Sequence, residues 1–168
     1  MFEQFQRGKC NVNDVTINYR KGGSGPPLLL LHGYPQTHVI WHEIADQLAE
    51  RFTVVAADLR GYGDSSKPAG GPDHSGYSKR EMARDQVELM RTLGFERFDI
   101  LAHDRGARVS HRLAVDHPHA VRRLILLDIA PTLAHVSPDR RDVRPGLLAL
   151  VLSDSPSAAA GNPARSSS

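Results

Sequence analysis

A mainly parallel α/β sheet with helices on both faces is the fold class this sequence predicts. Two observations carry it. Short apolar runs without alternation, LLLL at residues 28–31 and TVVAA at residues 53–57, suit strands buried on both sides. Such runs take turns along the chain with stretches whose apolar residues recur at helical spacing. That alternation is how parallel strands linked by helices are written in sequence.

The elements follow in order. Residues 12–20 (VNDVTINYR) partly alternate and carry Val, Thr, Ile and Tyr, which predicts an early, half-exposed strand. GGSGPP at 22–27 is a turn cluster, and residues 28–31 form the first buried strand. Between 37 and 52, Val39, Ile40, Trp41, Ile44, Ala45, Leu48 and Ala49 predict one helix. Residues 53–57 are the next strand, and 59–76, rich in Gly, Ser, Pro and Asp, are a loop. Ser78 with Glu81 is a capping box that opens a helix running to Leu93 and closed by Gly94. A strand at 98–102, a helix at 105–117 and a strand at 121–128 complete the pattern.

Residues 1–133 therefore read as a partial α/β domain. The tail from 134 to 168 has a different composition: it lacks aromatic residues and is rich in Ser and Pro. It is expected to be disordered.

Composition narrows the function. The chain has 168 residues and a net charge of +2, with no block of Lys or Arg, so nucleic acid is not an expected partner. The longest apolar run is far short of the ~20 residues that span a membrane. The N-terminus shows no apolar signal segment, and Cys10 is the single cysteine. A cytoplasmic protein is the expectation. No metal-ligand spacing or phosphate-binding glycine loop is present, so no metal and no cofactor is expected.

In parallel sheets the reactive groups gather at the C-terminal ends of strands. His32-Gly33, Asp58, His103-Asp104 and Asp128 stand there. The segment LAHDRGA at 101–107 has the form of a nucleophile elbow, a strand turning sharply into a helix past small residues. Its tip is Asp104. A carboxylate is already ionised and needs no base to activate it, and it suits displacement at a saturated carbon with formation of an alkyl ester. Taken locally, Asp104 reads equally well as a helix N-cap. HGYP at 32–35 and DLRGYGDSS at 58–66 sit in the order and spacing expected around an elbow, and together they favour the nucleophile.

HGYPQTHVIWHEIA, DLRGYGDSSKP, HDRGARVSHRLAVDHP and LLDIAPT resemble the haloacetate (fluoroacetate) dehalogenases of the α/β-hydrolase superfamily across residues 10–134. The resemblance implies the N-terminal part of an α/β-hydrolase fold, lacking the cap and the last strands. It implies a hydrolase that cleaves the carbon–halogen bond of a small anionic haloacid through an ester on Asp104. Haloalkane dehalogenases and epoxide hydrolases usually carry Trp after the nucleophile, where this chain has Arg105. Arg105 and Arg108, three residues apart on one helix face, could clamp the substrate carboxylate against the repulsion of Asp104. Away from an elbow, the same pair would read as solvated helix arginines.

The resemblance further assigns Asp128 as the acid that partners a catalytic histidine, and the backbone N–H groups of Tyr34 and Arg105 as oxyanion donors. His103 and His32 read as structural residues. The family's cap, halide pocket and late catalytic histidine have no counterpart in the sequence, so complete turnover is not expected of this chain, and the resemblance implies that the tail from 134 is a shifted reading frame of a full-length gene. A homodimer is one possible state of the full-length protein. An epoxide hydrolase, or an inactive hydrolase-like fragment, are the alternative readings.

Overall fold

The computed structural model describes residues 1–129 and 150–153. Among these, seven strands form one sheet in the order β1-β2-β4-β3-β5-β6-β7. The strands are β1 (Gln6–Val12), β2 (Val15–Gly22), β3 (Pro27–Leu31), β4 (Thr53–Ala57), β5 (Phe98–His103), β6 (Val121–Leu127) and β7 (Leu150–Ser153). The central β4, β3, β5 and β6 run parallel, while β1, β2 and β7 are antiparallel to their neighbours.

The solid apolar runs are explained by burial on two sides. Leu29 and Leu31 of β3 join Val55 and Ala57 of β4 in one core. Leu28, Leu30, Val54 and Ala56 join the other. The first core is closed by α2 (Lys79–Thr92) and α3 (Asp104–Asp116). The second is closed by Phe2, Phe5, Trp41 and the short α1 (Ala45–Ala49). Every side chain of β4 is buried, so neither face can tolerate a polar residue without a partner.

The expected fold class is the observed one, with three corrections. Residues 12–20 are not one strand: β1 and β2 form a hairpin turning at Asn13 and Asp14, whose φ angles are +45° and +63°. Asn and Asp tolerate that left-handed pair, which matches the twist of a two-residue hairpin. The stretch 37–52 is not one helix either. A 3-10 turn at His38–Trp41 is followed by α1, and Val39, Ile40 and Ile44 lie exposed. The reason is that His38 is pulled towards β4: its backbone N–H and its ring Nδ1 each lie 2.8 Å from Asp58 Oδ1. Finally, the tail expected to lack structure supplies β7, which pairs antiparallel with β6 from Leu150↔Leu126 to Ser153↔Arg123. The remainder of residues 134–168 lies outside the described residues.

The helix over 78–93 appears as expected. Ser78 accepts from the Glu81 N–H at 3.3 Å, and Gly94 ends the helix at φ +88°. No helix among the described residues is long and apolar enough to cross a membrane.

Candidate active site

β5 passes into α3 with no residue between them, and the turn is made by Asp104 at φ +43°. A non-glycine residue there is strained by roughly 1–3 kcal/mol, a cost that recurs at functional positions. The turn is sharp because α3 starts hard against β3. A Cβ on Gly106 would lie 2.5 Å from the His32 carbonyl oxygen and 2.6 Å from that of Leu31. Only glycine allows this approach. The Asp104 side chain does not cap α3. It accepts a hydrogen bond from the Tyr34 N–H at 2.9 Å, and it is also bonded to the backbone N–H of Arg105. Burial alone would raise its pKa, but these two donors, with His103 and Arg108 nearby, hold it below the usual carboxylate value. Asp104 is thus an ionised carboxylate, half-buried at the tip of a strained turn.

The loop that brings Tyr34 to Asp104 is fixed from below. His32, fully buried, donates from Nδ1 to the Gly33 carbonyl (2.8 Å) and accepts at Nε2 from the Leu59 N–H (3.1 Å). It ties the end of β3 to the end of β4. Burial lowers its pKa, which keeps the imidazole neutral for this double role. Gly33 packs tightly: a Cβ there would lie 2.7 Å from Asp104 Cβ and 2.9 Å from His103 Nδ1.

The structure places the other expected residues around this turn. Arg105 is half-buried, with its guanidinium 5.8 Å from the centre of the exposed Tyr34 ring. Arg108 is exposed one turn further along α3, and its charge is felt at Asp104. Asp128 follows β6 directly, at φ +52°, and its exposed carboxylate lies 3.6 Å from His103 Nε2. Its partner among the described residues is therefore the histidine next to the elbow.

Two residues near Asp104 were not singled out in the sequence. Tyr62, on the loop after β4, stacks edge-on to His32 at 5.1 Å and interacts electrostatically with Asp104, Arg105 and Tyr34. Lys79, the first residue of α2, interacts with Arg105, Arg108 and Asp104. Tyr62 gave no signal in a loop full of turn residues. Lys79 did give one: a cation in the first turn opposes the helix dipole and invites a reason. Among the described residues, no group of three or more His, Cys, Asp or Glu side chains is arranged to hold a metal ion.

The chain belongs to the alpha/beta hydrolase fold family, whose model matches residues 26–160. Among characterised relatives, it is 62% identical over 132 residues to a fluoroacetate dehalogenase from a Burkholderia species, covering 79% of this chain and 43% of that protein. It is also similar to a soluble epoxide hydrolase of Corynebacterium sp. (strain C12), at 43% identity over 133 residues, 79% of this chain and 45% of the relative. Among solved structures, a candidate alpha/beta hydrolase from Nostoc sp PCC 7120 superposes with a TM-score of 0.80 at 60% identity, over 83% of this chain and 48% of that one. The chain spans less than half the length of these relatives.

Proposed function

We propose that the protein acts on haloacetates, with Asp104 displacing the halide. The observation that carries this reading is the setting of Asp104: the backbone N–H groups of Tyr34 and Arg105, with the charge of Arg108, hold its carboxylate below the usual pKa at the tip of the turn. Arg105 and Arg108 take the substrate carboxylate and aim its α-carbon at Asp104. An Asp104 oxygen forms a bond to that carbon while the carbon–halogen bond breaks, and the halide leaves with the bonding electrons. Water adding at the Asp104 carbonyl then frees glycolate and restores the carboxylate, with the Tyr34 and Arg105 N–H groups stabilising the intermediate oxyanion.

The first step needs only residues on hand. The second needs a base. Among the described residues, His103 faces Asp128 and Gly33, and both ring nitrogens of His32 and of His38 are engaged. Ester hydrolysis by the described residues is therefore expected to be slow relative to ester formation.

Incubation with chloroacetate should add one carboxymethyl group, seen by intact mass and mapped by peptide sequencing to Asp104. Asp104→Asn should add none. A folded chain that stays unmodified would defeat the proposal. The 43% identity to a soluble epoxide hydrolase supports a second reading, in which Asp104 opens an epoxide. Faster labelling of Asp104 by a neutral epoxide than by chloroacetate would favour it, since Arg105 and Arg108 offer a neutral substrate nothing to pair.

A further inference from the structure

We propose that the Tyr34 side chain is a positioning residue of the Asp104 site, its ring holding the Arg105 guanidinium in place to take the carboxylate of a small anionic substrate. This rests on the reading of Asp104 as the reacting centre and of Arg105 as a ligand of the substrate carboxylate.

Two anchored stretches of main chain bring these side chains together. The Tyr34 N–H donates to Asp104 Oδ2 at 2.9 Å, and the Gln36 N–H closes the same turn on the Gly33 carbonyl at 3.1 Å. Arg105 lies in the first turn of α3, between Asp104 and Gly106, and Gly106 is pressed against the carbonyl oxygens of Leu31 and His32. Tyr34 and Arg105 thus leave the main chain from fixed points next to one carboxylate. Their side chains then meet: the guanidinium carbon of Arg105 lies over the Tyr34 ring, 5.8 Å from its centre. At that distance a cation is attracted to the face of an aromatic ring.

The setting of the ring points to this contact rather than to packing. Tyr34 is 64% exposed and joins neither apolar core, whereas Trp41, on the same loop, is buried against Phe2, Phe5 and Leu30. Arg105 is unusual as well. On these helices Arg84 pairs with Glu81, Arg91 with Glu88, and Arg112 with Asp116. Among the described residues, Arg105 has no carboxylate within ion-pair distance, and its side-chain neighbour is the ring. The difference matters chemically. A carboxylate partner would neutralise the guanidinium and occupy its N–H donors, in competition with the carboxylate of the substrate. An aromatic face restrains the cation and leaves those donors unpaired. An arginine held beforehand also loses less rotamer freedom when the substrate arrives.

The test uses the whole chain at low ionic strength, where binding between charges is least screened. Glycolate, which cannot alkylate, is titrated by NMR, with the uncharged glycolamide as the comparison, and the Arg105 Nε–H signal is followed alongside. Tyr34→Leu keeps the backbone N–H and removes the ring. It should bind glycolate about threefold more weakly, the scale of an exposed cation–ring contact, and the Arg105 signal should lose its upfield ring-current shift. Tyr34→Phe should match the unmodified chain in both readouts. Glycolamide binding should change in neither variant, and Val115→Ala, at an exposed apolar residue of α3, should have no effect. In an Arg105→Met background, Tyr34→Leu should cost nothing further. Should Tyr34→Leu fail to fold by circular dichroism, Tyr34→Gln takes its place. Unchanged glycolate affinity in the folded variant overturns the proposal. So does an equal loss in Tyr34→Phe, an equal loss for glycolamide, a loss that persists without Arg105, or no glycolate binding to the unmodified chain. Failure of the Asp104 reading looks different: glycolate binding would still depend on the Tyr34 ring while chloroacetate left Asp104 unmodified.

Discussion

Asp58 is fully buried, and its carboxylate accepts from the His38 backbone N–H, the His38 ring, Asn18 Nδ2 and the Asp64 N–H at 2.8–3.1 Å. Burial pushes its pKa up, but the His38 and Asn18 hydrogen bonds outweigh this and bring it down to about 2. A depressed carboxylate contributes stability that is present above its ordinary value of 3.8 and is lost as pH falls through about 2. The contribution at neutral pH is about 2 kcal/mol. Urea midpoints measured from pH 5 to pH 2 should fall steeply for the unmodified chain. Asp58→Asn should start lower at pH 5 and lose less on acidification; parallel curves would show that Asp58 does not carry the dependence. Gly33 offers a second test beside it. A methyl group there must displace either Asp104 or the loop that presents the Tyr34 N–H. Gly33→Ala should slow ester formation on Asp104 by about 100-fold, the scale of a misplaced reacting group. An unchanged labelling rate would mean that this contact does not set the geometry.

One buried ion pair fixes how the elements meet. Arg60, on the loop after β4, binds both oxygens of Asp85 on α2 at 2.6 Å, and Asn13 of the first hairpin reaches the same carboxylate at 3.3 Å. Burial raises the Asp85 pKa, so the charged pair depends on Arg60 staying in place. Arg60→Met should therefore cost about 3–5 kcal/mol by stranding Asp85. Adding Asp85→Leu should recover much of that, measured as urea midpoints of the three chains; additive losses would show that the pair does not act as a unit. None of this is visible at the level of local pattern. Arg60 sits among turn residues and Asp85 on what reads as a helix surface, and only tertiary packing joins them. The hairpin was missed for a different reason. Asn13-Asp14 is a turn signal, but the flanking β-branched residues masked it. The helix over 78–93 was legible because its cap, apolar spacing and closing glycine all agree. Residues 37–52 misled because exposed Val39, Ile40 and Ile44 mimic a buried face.

Across the whole molecule, the elbow was readable because it obeys a positional rule: it lies where a central strand of a parallel sheet meets its helix. Asp104, Tyr34 and Arg105 come together in the structure as the linear motifs suggested. The sheet's last strand follows no such rule. β6 would present an open row of backbone donors and acceptors, and such an edge invites pairing with another chain. In this molecule β7 covers it, with four residues in antiparallel register against Arg123–Leu126. The ladder depends on backbone groups, so a proline placed within it should break it without changing the charge of the chain. Val151→Pro should speed amide hydrogen exchange across residues 121–127 and leave β3 and β4, at the centre of the sheet, protected. It should also shift the chain towards dimers or larger species in sedimentation, as bared edges pair between molecules. If exchange over 121–127 stays as slow as in the unmodified chain, β7 is not what closes this side of the sheet.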